Sequence, residues 1–462
     1  MCSRYRQESS DETIGPASLG QRLLWTFERR YGHAGALSTH VVVRLRAPLD
    51  RARLEHAVRE LTARHDALRA KLRWDRTKLL RIVSDSWRPE IRYLDVSASG
   101  DALAMAQQEL TREITAPLVS SDWPLRCLVI GISAEDHVIC LNIHHIATDW
   151  TSGEILVADL AALYSGNELP AEDGWDYSRW IEWKNSEAGT RRQARAEAYW
   201  TKVLEGATGC RIPAESHPAG EERLTAYEHG TLDPETVAGL KALVSEARVP
   251  MFCVAAAIFY AAVHAMTGQT DLTVTTISSE RNRPELLRTV GYFISTVALR
   301  VRFRPEESFA ELARKCRGAL FGAIEHELVP IRALPAVATR QMDPGIESVV
   351  FQMVRGSSAP PAPFDNWSWR PDVGQGRTFD LEMMLQLLDG QSAQVNVLYL
   401  SRKYKPETIA ALIDLYCRIA DTVARAPDVP LRDLIDVARI SDRAREQTSP
   451  PPVGTRDPAE CA

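Results

Sequence analysis

Two adjacent histidines close an apolar run in the stretch CLNIHHIATDWTSGEI, Cys140 to Ile155, and an aspartate follows the second of them by four residues. Such residue types can ligate a metal, move a proton with a carboxylate in support, or pack as a hydrogen-bonded pair in a core. Successive strand side chains point to opposite faces, so His144 and His145 diverge if both continue a strand, and only one reaches a given cleft. Diverging neighbours do not chelate one ion together, and no HExxH or cysteine cluster supplies further ligands, so no metal is expected. If the chain has turned helical by Asp149, that carboxylate lies one turn from His145 and can hold a neighbouring group by a charge-assisted hydrogen bond. Catalytic and packed readings of the pair both stand at this point.

The surrounding pattern places the motif at a strand-to-helix junction. PLRCLVIGISAEDHVICLNIHHI reads as two strands joined by a polar turn, and TSGEILVADLAALYSG reads as a helix ended by Gly166. Before them, SLGQRLLWTFERR reads as a helix, THVVVRLRAPL as a strand, and DRARLEHAVRELTARHDALRAKL as a helix capped by Asp50. A second alternating region starts near Leu224, with a buried helix at MFCVAAAIFYAAVHAM, strands at DLTVTTIS, STVALRVRF, SVVFQMV and AQVNVLYL, and a last helix from about Pro406 to Ala424. These patterns predict an α/β chain of two related lobes: a disordered leader over residues 1–15, an N-terminal lobe over 16–184, a crossover over 185–222, a C-terminal lobe over 223–440 and a disordered tail over 441–462. Residues 356–376 read as a long irregular loop.

Composition narrows the function classes. Of 462 residues, 45% are hydrophobic and 25% charged, which suits a globular protein with a sizeable core. The net charge of −6 and scattered Lys and Arg give no nucleic-acid footprint. Eight cysteines without a CxxC pair suit reduced thiols, the start lacks an apolar signal region, and the most apolar stretch is shorter than the roughly 20 residues of a membrane span. A cytoplasmic protein with no membrane or nucleic-acid partner is expected. Trp175, Trp180, Trp183 and Trp200, in helical segments, read as packing residues.

The motifs have a family context. HHIATD resembles the HHxxxDG motif of nonribosomal peptide synthetase condensation domains, members of the HHxxxDG acyltransferase superfamily. SLGQRLLW is similar to that family's opening motif through Ser18, Gln21 and Trp25, and RHDALRAKL to its RHExLRxxF through Arg64, His65, Leu68 and Arg69. WDYSRW resembles YxDYAxW through Asp176, Tyr177 and Trp180, and RNRPELLRTVGYFISTVALRV resembles the Arg-rich loop and IGxFVNTLPLR stretch through Arg281, Gly291, Phe293, Thr296 and Arg300. HELVPIRAL and TFDLEMML match later elements through Pro330, Phe379 and Asp380, so the resemblance runs from about residue 16 to residue 440.

The resemblance implies two chloramphenicol-acetyltransferase-like lobes in a V-shaped pseudo-dimer, with the histidine motif at their interface in a tunnel. Peptidyl or acyl carrier proteins would deliver acyl groups on phosphopantetheine arms, with no tightly bound cofactor. An amine or hydroxyl, free or carrier-bound, would attack the thioester. His145 would take or hold the nucleophile's proton, His144 would orient the loop, and Asp149 would pair with an arginine, Arg69 first and Arg64 second, as support of the site. The chain departs from the family pattern at Trp150, where the motif has Gly, and at Ser295, where FVNT has Asn; with Phe293 these are candidates for lining the tunnel or the oxyanion site. No adenylation-type signature or carrier-type GGxS site is present, so action in trans, as a freestanding condensation enzyme, is the expectation, although ISDRAREQ resembles the linker that leads into a further domain. An acyl-CoA or polyketide-carrier-dependent ester synthase and a catalytically degenerate docking module are the alternatives.

Overall fold

The computed structural model describes residues 6–434 except 8–10, 32–36, 172–173, 215–224, 335–342, 344, 356–359, 368–378 and 389–390. The first part of the chain forms strands β1 (Arg6–Gln7) and β2 (Glu12–Pro16), helix α1 (Leu19–Tyr31), β3 (Ser38–Leu45), α2 (Arg51–Arg64), the hairpin β4 (Ala70–Asp75) and β5 (Lys78–Ser84), and β6 (Ile91–Asp95). Then come α3 (Ala102–Thr115), the hairpin β7 (Leu125–Ser133) and β8 (Asp136–His144), α4 (Trp150–Tyr164), α5 (Tyr177–Lys184) and the long α6 (Glu187–Val203). The second part forms β9 (Thr225–Leu232), α7 (Pro234–Ala247), α8 (Met251–Thr267), β10 (Asp271–Ser278), β11 (Ser295–Arg302), α9 (Phe309–Glu325), β12 (Val349–Arg355), β13 (Phe364–Asn366), β14 (Leu381–Leu388), β15 (Ser392–Leu400) and α10 (Pro406–Arg425).

Helix starts follow local chemistry. Asp50, Asp101, Asp149, Asp176 and Asp233 each accept an amide of the following first turn, and Ser308 with Glu311 closes a capping box on α9. Two large sheets carry the lobes. One runs β13-β3-β8-β7-β6 and the other β11-β10-β12-β14-β15-β9, while β1-β2-β5-β4 forms a smaller, separate sheet. In the second lobe α8 is buried along nearly its whole length between the sheet and its neighbours α7, α9 and α10, which accounts for its apolar sequence all round. No single described helix is long and apolar enough to cross a membrane.

Three expectations about organisation change. The leader is ordered in part, because Glu12–Pro16 pairs antiparallel with β5. The stretch expected to cross between lobes begins with the helix α6, whose Trp200 is fully buried and donates its indole N–H to His326 O at 3.0 Å. Within the loop over 356–376, Phe364–Asn366 is a strand that pairs antiparallel with β3, so the second half of the chain completes the first lobe's sheet. The tail over 441–462 lies outside the described residues.

The cores interlock as well. Leu286, Val290 and Phe293, from the loop between β10 and β11, are buried among Leu156, Tyr177 and Trp180 of the first lobe. Tyr177 is placed there by a buried ion pair: Arg81 Nη2 donates to Asp66 Oδ2 at 2.9 Å, and Asp66 also accepts the amides of Tyr177 (3.1 Å) and Ser178 (3.0 Å). Burial alone would raise the Asp66 pKa, but the Arg81 charge and the hydrogen bonds from Ser178, Arg81 and Tyr177 outweigh it and hold the carboxyl below its usual value. A depressed carboxylate stabilises the fold above its unfolded-state pKa, and that contribution is lost as pH falls through the lower, folded value. Replacing Arg81 by Leu strands the buried Asp66 charge and should cost roughly 3–5 kcal/mol in urea unfolding at neutral pH. The deficit should shrink in the Arg81→Leu, Asp66→Asn double variant.

Candidate active site at the lobe junction

β8 delivers the histidines, and a short 3-10 turn over His145–Ala147 leads to α4. His144 is fully buried, and its Nδ1 accepts the Ile146 amide at 3.0 Å. In the neutral ring the proton is therefore on Nε2, which lies 3.9 Å from Glu28 Oε1. Glu28 is held in turn by the amide of Ser120 at 3.1 Å and by the Ser120 hydroxyl. His145 is partly exposed and faces the opposite demand: its Nδ1 lies 2.7 Å from Thr148 O, which can only accept. In the neutral ring the carbonyl fixes the proton on Nδ1 and leaves Nε2 with a lone pair, the arrangement a base requires. From α1, Gln21 Nε2 donates to Ile146 O at 3.0 Å and so clamps the turn.

Asp149 closes the turn and starts α4. Its Oδ1 accepts the Ser152 amide at 2.7 Å and the Ser152 hydroxyl at 2.7 Å. Its partner is Arg281, from the loop after β10: Nη2 lies 2.9 Å from Oδ1 and 3.1 Å from Oδ2, and both side chains are about 5% exposed or less. Arg281 Nη1 donates to Leu286 O (2.8 Å) and Thr289 O (2.6 Å), so the same guanidinium folds its own loop. Its central carbon stands 4.2 Å from the Phe293 ring centroid. Ser152 Oγ completes the junction, accepting from Arg281 Nη2 and from the Gly291 amide, each at 3.0 Å. A side chain at residue 291 has no room, since a Cβ there would stand 2.1 Å from Tyr177 Cδ2.

The expected pairing of Asp149 with Arg69 or Arg64 is therefore corrected. Arg69 donates to Ser84 O at 3.2 Å and pairs with Asp85 at the end of β5. Arg64 donates to Pro170 O at 2.7 Å and stands 3.9 Å from Asp159 Oδ2. Arg64 ends α2 and Arg69 follows it, and both engage groups of the first lobe, whereas Arg281 arrives from the other lobe at the mouth of α4. Asp159, one α4 face further along, receives a second arginine of the same loop, Arg288, at 2.7 Å, and His65 at 3.0 Å.

Two tunnel candidates are also corrected. Ser295 is fully buried and donates to Glu327 O at 2.6 Å, and Phe293 is 1% exposed between Tyr177 and Trp180, with ring centroids at 5.2 and 4.8 Å. Their alternation with half-buried Tyr292 and Ile294 follows the two-residue period of an extended segment and was the signal for it. Trp150 is half exposed at the first turn of α4. Among the described residues no group of three or more His, Cys, Asp or Glu side chains is arranged for a metal.

Beneath the loop lies a buried charge cluster that sequence reading missed. Glu280, in the left-handed region with φ 45°, accepts Lys184 Nζ at 2.8 Å, and Ser278 Oγ donates to Glu327. Burial pushes the Glu327 carboxyl up to about 7, with the neighbouring Glu280 adding and the Ser278 and Lys184 contacts opposing.

The two α/β lobes, with an acceptor nitrogen set at their junction, define a chloramphenicol-acetyltransferase-like architecture. The profile of the condensation domain family matches residues 11–444, and the chain belongs to that family. It is 26% identical over 455 residues, 91% of this chain, to nonribosomal peptide synthetase kk1B of Curvularia clavata, and 25% identical over 441 residues, 93% of this chain, to surfactin synthase subunit 2 of Bacillus subtilis strain 168. It spans only 3% and 12% of those relatives' lengths. Among solved structures, the first condensation domain of the calcium-dependent antibiotic synthetase matches with a TM-score of 0.74 at 19% identity, covering 92% of this chain and 99% of that one. The X-domain from teicoplanin biosynthesis matches at 0.74 and 21% identity, covering 90% and 96%.

Two outcomes follow from the junction. Arg281→Leu leaves Asp149 buried without its counter-charge and should lower stability by roughly 3–5 kcal/mol, read by denaturant unfolding. A carboxyl raised on folding stabilises fully below its unfolded value and loses that contribution as pH rises through the folded value. Glu327 therefore destabilises progressively between about pH 4.5 and 7, and Glu327→Gln should flatten the thermal-stability profile across that interval.

Proposed function

We propose that the protein forms an amide or ester bond by attack of an amine or hydroxyl acceptor on an acyl thioester carried on the phosphopantetheine arm of a peptidyl or acyl carrier protein. One observation carries this reading: His145 is tied through Nδ1 to Thr148 O at a partly exposed position where the two lobes meet, so that in the neutral ring Nε2 is left as the acceptor. A thioester is already activated, so the chemistry needs aligned partners and management of one proton. His145 Nε2 accepts the proton of the attacking N–H or O–H and returns it to the departing thiolate. Asp149, engaged with Arg281 and Ser152, holds the turn rather than the proton. His144, fully buried, orients the loop through the Ile146 amide.

Trp150 supports a second reading. The family motif has glycine there, and an indole beside the histidine turn suits a module that docks another protein without turnover. The teicoplanin X-domain, a neighbour in fold, has been solved in complex with OxyB. Mass spectrometry of product formation with candidate loaded carriers distinguishes the two. On the catalytic reading His145→Ala loses at least about a hundredfold in turnover, and Trp150→Gly retains activity or gains it. Full turnover in His145→Ala with a verified substrate would remove the base role. Absence of product from every loaded carrier tested, with tight capture of a partner protein, favours docking.

A further inference from the structure

Tyr292 is held as firmly as His145 and leads nowhere within the fold. On one side, Gly291 is locked at both backbone atoms by Ser152 Oγ, which accepts its amide and lies 3.0 Å from its carbonyl. The Tyr292 carbonyl accepts the Tyr177 hydroxyl at 2.7 Å, and on the other side Phe293 is buried. The ring lies against α1, where a Cβ on Gly20 would stand 3.0 Å from Tyr292 Cε1, so glycine is what admits it. It then meets the His145 imidazole at 5.7 Å between centroids and 86° between planes. His145 thus has two constraints: Thr148 O sets the tautomer, and the Tyr292 ring sets the plane.

The hydroxyl at the far end of this ring has no hydrogen-bond partner among the described residues, although the residue is half-buried. Burial pushes the phenol pKa up, with Arg332 opposing and the carboxylates of Asp149 and Glu280 adding to the rise. The group therefore keeps its proton and can only serve as a neutral donor or acceptor. An unengaged O–H on a ring packed edge-on against a base is a group that can stabilise charge developing on an oxygen during acyl transfer.

We infer that Tyr292 is a further catalytic residue, its ring fixing the plane of His145 and its hydroxyl donating a hydrogen bond to the carbonyl oxygen of the thioester under attack. This rests on the condensation reading above. As the acceptor's nitrogen or oxygen bonds to the thioester carbon, the carbonyl π pair moves to oxygen and is met by the Tyr292 O–H, while His145 Nε2 takes the proton of the nucleophile. Collapse re-forms the C=O, breaks the C–S bond, and the thiolate leaves with the proton from His145. Tyr292 remains protonated throughout.

Two variants test it, each with a kinetic and a non-kinetic readout. Tyr292→Phe keeps the ring and removes the donor: kcat should fall by roughly 10- to 1,000-fold, with KM for the loaded carrier and the rate of His145 modification by diethyl pyrocarbonate, mapped by mass spectrometry, unchanged. Tyr292→Ala removes both, and His145 should also become faster to modify. Turnover of Tyr292→Phe within about twofold of the parent, in a protein whose His145→Ala variant is inactive, overturns the inference and leaves the base assignment standing. Activity retained in His145→Ala instead overturns the underlying reading.

Discussion

The Arg281–Asp149 pair is the contact on which the site depends. Its two members are 132 residues apart and belong to different lobes, and each also does local work in its own segment. Asp149 caps α4, and Arg281 gathers the carbonyls of its own loop. Because both charges are out of water, the geometry is all-or-none: a displaced lobe leaves two desolvated ions, whereas a surface pair would simply hydrate. The histidine turn is followed by Asp149 of this pair and held at its middle residue, Ile146, by Gln21, so its shape reports on the position of both lobes.

Ser152 turns that ion pair into a four-way joint. One hydroxyl touches Asp149, Arg281 and both backbone atoms of Gly291, and the absent side chain of Gly291 is what lets Tyr177 close over it. Tyr177 then reaches Ser18 Oγ at 3.0 Å and the Tyr292 carbonyl, which links α1, α5 and the loop of the second lobe. Small polar groups with several partners suit this task better than long ones, because little rotamer freedom is lost per bond formed.

Much of the fold was legible in the chain. Alternation with period two, helical spacing, and Asp50 at the start of α2 placed most elements, since these depend on neighbours in sequence. The histidine pair, the divergence of its two rings and the strand-to-helix junction were legible for the same reason. The choice of arginine was not. Arg69, Arg64 and Arg281 are chemically equivalent as counter-ions, and only the lobe arrangement decides among them. Phe293 and Ser295 were misassigned to the tunnel because family position outweighed local periodicity, which sets them on the buried face. Lys184, Glu280 and Glu327 left no pattern at all, because a charge is expected in water until three-dimensional packing removes it.

β13 has a consequence for how the lobes can be handled as parts. Three residues from the second half cover the outer edge of β3, and Phe364 at 3% exposure fills a slot beside Tyr164 in the first lobe's core. Cutting the chain between the lobes would therefore produce a first fragment with an uncapped edge strand and an aromatic-sized hollow. Such an edge invites pairing with another copy of itself. The two lobes are better regarded as one inseparable unit of folding, in which the later half supplies the seal for the earlier.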